Sequence, residues 1–411
     1  MSSGSGGFAG GGGGVVSAGA AVDTVATGGG GGAVGGWGGG SSPAHAASAS
    51  DVVTRRTARR FDRIGVSFQR GRVSVTAALP SFDARVKGFG ATKRGTPVHA
   101  RPLGKTGLRV TEMALGTWGL SGDGYGPVEE HEQERVLQRA LEMGFSLIDT
   151  ADAYGGGRME RLVGRAVADR TDVVLVTKGG TDRTTSPPRK RFDGAFLRES
   201  LERSLRRLGR DRVDVYLLHN PSADALRGGE AVDTVTALKA EGKIGHWGVS
   251  VGDVEVGREA LRCQAEVIEL AYSLVNGSDL HRLAGEIIVS GAGVLARSTL
   301  AHGLLANTWT SDKAFAAGDH RSDRWTRAEL ERRIQQVASL RFLVHGDVTT
   351  MRAAAVRYVL ANRIVSTAVL GPRSVRQLED IVREVGMGPV YVRDEDLMRI
   401  PRALENVGIE P

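Results

Sequence analysis

Cysteine is almost missing from this chain. Cys263 is the only one in 411 residues, which excludes an intrachain disulfide and fits a reducing, cytoplasmic compartment. No run of about 18 apolar residues occurs, so no segment reads as a membrane-spanning helix. Acid is short at one end only. Residues 1–100 hold eleven Lys/Arg and four Asp/Glu, whereas residues 101–411 hold 43 of each. The formal charge of +7 therefore belongs to the N-terminal quarter, and the body offers no basic surface that would make nucleic acid an expected partner.

The first fifty residues lack leucine and isoleucine and carry 19 glycines with one charge, Asp23. Such a segment buries too little apolar surface to offset chain entropy, and the composition predicts disorder. Residues 51–98 are basic, as in "TRRTARRFDR", with short apolar runs such as "VSVTAAL". Little fixed structure is expected across this 1–98 extension. Its Arg-rich, acid-poor character has some likeness to a transit peptide, without the apolar core of a secretory signal. A downstream translation start would remove it altogether. Arg55, Arg56, Arg59, Arg60 and Arg63 would also suit weak phosphate binding; a solvated linker is the plainer reading.

From residue 99 to 411 the pattern changes to one domain. "ARPLGKTGLRV" reads as a hairpin turning at Lys105-Thr106-Gly107. After it, apolar runs at 112–116, 145–149, 172–177, 213–218, 244–249, 266–270, 292–296 and 366–370 read as strands. Helical periodicity starts near 129, 158, 193, 229, 253, 278, 351 and 374 between and after them. "DGAFLRESLERSLRRLG" shows the helix cues well: Asp193 as N-cap, apolar Phe196, Leu197, Leu201, Leu205 and Leu208, and Gly209 as the stop. Strand and helix alternating eight times predicts an α/β fold, a (β/α)8 TIM barrel. A doubly wound sheet would usually carry G-x-G-x-x-G after its first strand, and "LGTWGLSGDGYG" does not match it.

Parallel barrel strands bring their C-terminal ends to one mouth, where active sites sit. Here those ends are polar: Asp149 with Tyr154 just beyond, Lys178, His219, Ser250, Glu269, and Arg297 with Ser298. Each alone is more commonly a turn residue, a solvated charge or a structural histidine. Four such groups at three consecutive strand ends form a coherent proton donor. Tyrosine titrates near ~10, and an adjacent ammonium held by a carboxylate would favour its ionised form. A histidine N–H would orient a carbonyl oxygen and share its developing charge. Asp149 would fix Lys178, Lys178 would tune Tyr154, and Tyr154 would protonate an alkoxide as hydride arrives.

At these residues the sequence resembles the aldo-keto reductase superfamily over about 99–385. "LGTW", "IDTADAYGGGRMERLVGRAV", "VVLVTKGG", "ESLERSLRRLGRDRVDVYLLHNP", "LKAEGKIGHWGVS" and "VLGPRSVRQLED" carry the likeness. It implies a barrel that binds NADP(H) and reduces an aldehyde or ketone with the tetrad Tyr154, Lys178, Asp149 and His219. It also implies cofactor contacts from Gly116, Thr117 and Trp118 and from Ser250, although Val251 stands where asparagine is usual. Glu269 replaces the usual glutamine, and a carboxylate accepts from a carboxamide N–H but cannot donate to its oxygen. Arg297 occupies the position of a stacking aromatic, where its planar guanidinium would stack instead. Ser298, Leu300, Gly303 and Leu304 correspond to a pyrophosphate-covering loop, with Thr299 in place of a common proline. Gly371, Arg373 and Ser374 open the last helix, whose amides suit a phosphate, and Arg373 would favour a 2′-phosphate and hence NADP(H). Gln377 and Asp380 would lie by the adenosine, beside Ile381 where asparagine is usual.

Between residues 305 and 350, His320, Arg321 and Trp325 have two readings, as substrate-mouth residues or as the cap of a surface helix. The superfamily also contains NADP(H)-binding regulatory subunits with little turnover, which is the alternative function. Substrate identity and oligomeric state are not written in these patterns.

Overall fold

The computed structural model describes residues 99–306, 309–316, 318–386, 388 and 390–410, and the backbone of 66–69 and 72–75. Expected disorder in residues 1–98 lies outside the described residues apart from that last piece. There Val66–Gln69 and Arg72–Val75 pair antiparallel, where little fixed structure was expected. Apolar and polar residues alternate in both strands, with only Arg70 and Gly71 between them, a hairpin pattern.

Eight parallel strands close into a barrel. In chain order they are β1 (Met113–Gly116), β2 (Leu147–Asp149), β3 (Val174–Gly179), β4 (Val213–His219), β5 (Ile244–Ser250), β6 (Val267–Ala271), β7 (Gly293–Arg297) and β8 (Thr367–Leu370). β8 pairs with β1 to close the ring. The helices are α1 (Glu130–Glu142), α2 (Arg158–Ala166), α3 (Gly194–Leu208), α4 (Glu230–Ala240), α5 (Val254–Arg262), α6 (Ser278–Ser290), α7 (Met351–Ala361) and α8 (Val375–Val385). Every expected strand and helix is present, with ends differing by a residue or two. α3 shows why: the Asp193 side chain accepts from the Phe196 amide, and Gly209 at φ +64° ends the helix.

Strand residues divide into two sets with period two. Ala114, Leu147, Val174, Val176, Val215, Leu217, Val267, Leu295 and Val369 pack inside the barrel. Met113, Leu115, Ile148, Leu175, Tyr216, Leu218, Ile268 and Val294 pack outward with the helices. Each buried Val or Leu contributes about 1.5–3 kcal/mol relative to exposure. The hairpin Ala100–Pro102 and Arg109–Thr111 supplies Leu103 and Val110 to the inner set. Lys105 donates its amide to Gly291 O (2.9 Å) just before β7, and Thr111 to Ser146 Oγ (2.8 Å) just before β2. The hairpin therefore plugs the N-terminal end and leaves the C-terminal mouth for chemistry.

Beside the short helices Trp118–Ser121 and Ala223–Arg227, two longer ones were not expected. Arg327–Ala338 opens on a capping box in which Thr326 and Glu329 bond reciprocally, a spacing legible in the sequence. Asp394–Glu405 contains Pro401, a residue that reads as a helix breaker. No described helix is long and apolar enough to cross a membrane.

Candidate active site

Counting in twos from the inner core leads directly to the site. Leu147 points inward, so Asp149 does; Val176 leads to Lys178, Leu217 to His219, Val267 to Glu269, and Leu295 to Arg297. Core and polar ring are one periodic pattern, apolar below and polar at the mouth.

Lys178 is 1% exposed and holds the cluster together. Its ammonium donates to Asp149 Oδ1 and to Thr150 O (3.2 Å), and it reaches Tyr154 Oη at 3.4 Å. Glu269 Oε1 lies 3.4 Å from the same nitrogen. Asp149 is fixed at its backbone, where its carbonyl accepts from the amide (2.9 Å) and Oγ1 (3.0 Å) of Thr117. Tyr154 sits on the loop leaving β2, which needs its glycines. Gly155, Gly156 and Gly157 have φ of +58°, +61° and +85°, conformations that cost other residues about 1 kcal/mol or more. Asp123 Oδ2 accepts from the Gly155 amide (2.6 Å), and Arg183 donates to Ala153 O (2.7 Å), pinning the loop from both sides. The His219 ring stands edge-on to Tyr154, centroids 5.9 Å apart.

Electrostatics follow from burial. Burial opposes the Lys178 charge, but Asp149 and Glu269 outweigh it and hold the ammonium above its usual range. Burial raises Asp149 to about 7, with Lys178 pulling the other way. Burial also pushes the Tyr154 phenol upward; Lys178 opposes this, while Asp149 and Glu269 add to it. The sequence suggested a lowered phenol. The direction is reversed chiefly because the phenol is buried, with two carboxylates, not one, adding to the effect. His219 is driven well below its usual value by burial, then by Lys190 and Lys178, so its ring is neutral.

A cavity of about 800 Å³ opens on this cluster, within the range of small-molecule sites. Gly116, Trp118, Asp149, Tyr154, His219 and Ser250 line it, as do Glu269, Arg297, Ser298, Leu300, Gly303, Gly371, Arg373 and Gln377. Thr117, Lys178, Leu304, Ser374 and Asp380 lie outside the lining. Thr117 and Lys178 act from behind it, Leu304 is buried, Ser374 caps α8, and Asp380 pairs with Arg383 and Arg376. Arg373 does not face an open phosphate site. It donates to the carbonyls of Gly119 (3.2 Å), Gly126 (2.9 Å) and Pro127 (3.0 Å). At the start of α8 the Val375 amide already donates to Glu132 Oε1 (2.9 Å). Arg297 donates to Val251 O (3.0 Å).

Of His320, Arg321 and Trp325, Arg321 lines the cavity, whereas His320 and Trp325 lie outside its lining and pack against residues that do. His320 packs 5.1 Å from Trp118 and 4.9 Å from Tyr125. Arg321, paired with Asp319, lies over Tyr125 (4.8 Å), Trp309 (5.4 Å) and Phe315 (4.8 Å). Trp325 stands 6.0 Å from Trp309. Burial keeps this roof uncharged at its inner edge, raising Tyr125 to about 12 and lowering His302 to about 3.

Several lining residues carried no sequence signal. Asn220 accepts from Ser250 Oγ (3.2 Å). Lys190 donates to His219 O (2.7 Å), because the "TDRTTSPPRK" connector folds back through the pair Thr181–Asp182 and Arg189–Lys190. Two polar atoms in the cluster are buried without a partner, His219 Nδ1 and Glu269 Oε2. Both are groups that a bound ligand would satisfy. At Gly116 a Cβ would meet Val369 Cγ1 at 2.7 Å, so the β1 end stays bare. These features fit the flat ring and carboxamide of a nicotinamide. Among the described residues no His/Cys/Asp/Glu group could hold a metal ion.

Residues 112–389 match the sequence profile of the Aldo/keto reductase family. The chain belongs to the aldo/keto reductase family. Among curated relatives it is 27% identical to the aldo-keto reductase YhdN of Bacillus subtilis, covering 75% of this chain and 94% of that one. It is 28% identical to the NADH-specific methylglyoxal reductase of Escherichia coli, covering 74% and 98%. It is also 25% identical to a probable voltage-gated potassium channel subunit beta of Arabidopsis thaliana, covering 70% and 91%. Among solved structures, the holo form of aldo-keto reductase AKR11C1 from Bacillus halodurans superposes with a TM-score of 0.63 at 27% identity, covering 75% and 96%. As an aldo/keto reductase the protein is an oxidoreductase of a family that uses nicotinamide cofactors.

Proposed function

We propose that this protein interconverts an aldehyde or ketone with its alcohol, using NADPH as reductant. The bound dinucleotide supplies a hydride to the carbonyl carbon. Tyr154 gives its hydroxyl proton to the carbonyl oxygen, so that the products are an alcohol and the oxidised cofactor. An alkoxide is a stronger base than a phenolate, so a phenol whose pKa is raised still transfers its proton downhill. Lys178 then stabilises the phenolate at Tyr154 Oη, and neutral His219 donates to the substrate oxygen and orients it. The observation that carries this reading is the Lys178 ammonium bridging Asp149 and Tyr154 Oη.

The preference for NADPH over NADH rests on Arg373. Its guanidinium is held by loop carbonyls in this structure, and a relative is named NADH-specific, so both reductants belong in the assay. Oxidation of NADPH and NADH with aldehydes, dicarbonyls and quinones tests the activity. Tyr154→Phe should remove turnover, by about 10²-fold or more, and leave cofactor binding within about twofold. Full activity in that variant would exclude Tyr154 as the proton donor.

The potassium-channel-subunit relative favours a second reading, a cofactor-binding subunit with little turnover. Tight dinucleotide binding without reduction of any carbonyl would support it. The assembled Tyr154–Lys178–Asp149–His219 cluster weighs for the enzyme.

A further inference from the structure

The mouth of the barrel holds a second carboxylate that the proton-transfer scheme does not use. Glu269 is 1% exposed, and its two oxygens differ in surroundings. Oε1 lies 3.4 Å from Lys178 Nζ. Oε2 is buried, has no hydrogen-bond partner, and belongs to a residue lining the cavity. Asp149 and Glu269 together set two carboxylates against one ammonium. Among nearby cations, Arg297 on the adjacent strand is turned to Val251 O (3.0 Å) and Lys190 to His219 O (2.7 Å).

A nicotinamide ring is cationic when oxidised and neutral when reduced. A buried carboxylate beside it therefore acts on the two forms unequally, because charge interactions strengthen as water is excluded. We propose that Glu269 is a positioning residue that makes this site discriminate between cofactor redox forms, selectively stabilising the oxidised, cationic dinucleotide. This rests on the nicotinamide reading of the cavity and goes beyond it. A neutral amide at the same position would grip the carboxamide in both forms alike, whereas a carboxylate ties affinity to ring charge. The consequence is an on-enzyme equilibrium drawn toward oxidised cofactor and alcohol, hence toward carbonyl reduction, relative to the same barrel with Gln at 269. Differential affinity alone can shift that balance.

The test is the pair of dissociation constants for oxidised and reduced cofactor, measured with NADP⁺/NADPH and with NAD⁺/NADH. Quenching of tryptophan fluorescence reads binding, Trp118 being at the cavity. At pH ~8, above the value of about 7 to which Asp149 is raised, Glu269→Gln should raise the constant for the oxidised form about tenfold and leave the reduced form within about twofold. Glu269→Asp keeps the charge and should hold the oxidised-to-reduced ratio within about twofold of the parent, which secures the test should the glutamine variant unfold. Equal changes in both constants for Glu269→Gln, or a tenfold ratio shift in Glu269→Asp, would overturn the proposal. If the parent protein binds neither form of either dinucleotide, the cofactor reading itself fails, a result distinct from binding without discrimination.

Discussion

Asp149 and Glu269 share one ammonium from opposite sides of the barrel. β2 and β6 are four strands apart in a closed ring of eight, and Lys178 on β3 meets both carboxylates. The contact crosses the barrel mouth, so the cluster reports on closure of the whole fold as well as on chemistry.

Removing the shared cation should therefore be costly. Lys178→Met leaves two buried carboxylates facing each other, and breaking a buried ion pair costs about 3–5 kcal/mol. Denaturant unfolding at pH ~8 should show that loss, and at pH ~5 a smaller one as a carboxyl takes up a proton. Adding Asp149→Asn to the variant should return part of the stability. A deficit independent of pH and untouched by the second change would mean that the carboxylates do not feel Lys178.

Another buried acid, Asp152, lies two residues before Tyr154 in the chain. Asp152 accepts from Ser200 Oγ (2.7 Å) through one oxygen, and the other has no partner. Burial raises its pKa from 3.8 to about 6, with the Ser200 bond opposing. The folded state thus holds the proton more tightly than the unfolded chain. The stability it provides is complete below pH 3.8 and is lost as pH rises through about 6. Asp152→Asn removes this titration. Its stability relative to the parent should climb by about 2–3 kcal/mol between pH ~4 and ~8. Urea unfolding across that range measures the difference, and a flat difference would discard the assignment.

Strand packing near the site leaves no room at Gly248. A Cβ there would meet Val267 O at 2.1 Å and Leu217 Cδ2 at 2.8 Å. The carbonyl belongs to the neighbouring strand and cannot swing away as a side chain would. Gly248→Ala should cost at least about 2 kcal/mol. Gly252→Ala, where nothing lies within 4 Å, should be close to neutral. Thermal unfolding of the two variants separates packing from any general intolerance of alanine on this strand and its loop.

Much of the site was legible because period-two alternation is local. Once Leu147, Val176 and Leu217 are assigned inward, Asp149, Lys178 and His219 follow without tertiary information. The capped helices were legible for the same reason, since Asp193 and Gly209 act on their own neighbours. Arg373 shows the limit. Its place before α8 suggested a phosphate ligand, yet its guanidinium bonds carbonyls some 250 positions earlier, and sequence distance says nothing about such partners.

By itself, then, the sequence determined the eight barrel strands and the eight helices that alternate with them, which strand faces turn inward, and that a phenol, an ammonium, an imidazole and a carboxylate stand at the strand ends. All of these depend on interactions within a few residues. Tertiary structure alone decided that Glu269 joins Lys178 across the ring, and that the aromatic and arginine roof from 309–325 folds over Trp118. It also decided that burial reverses the expected direction of the Tyr154 phenol. Each of these depends on distances through space and on exclusion of water, which exist only once the barrel has closed.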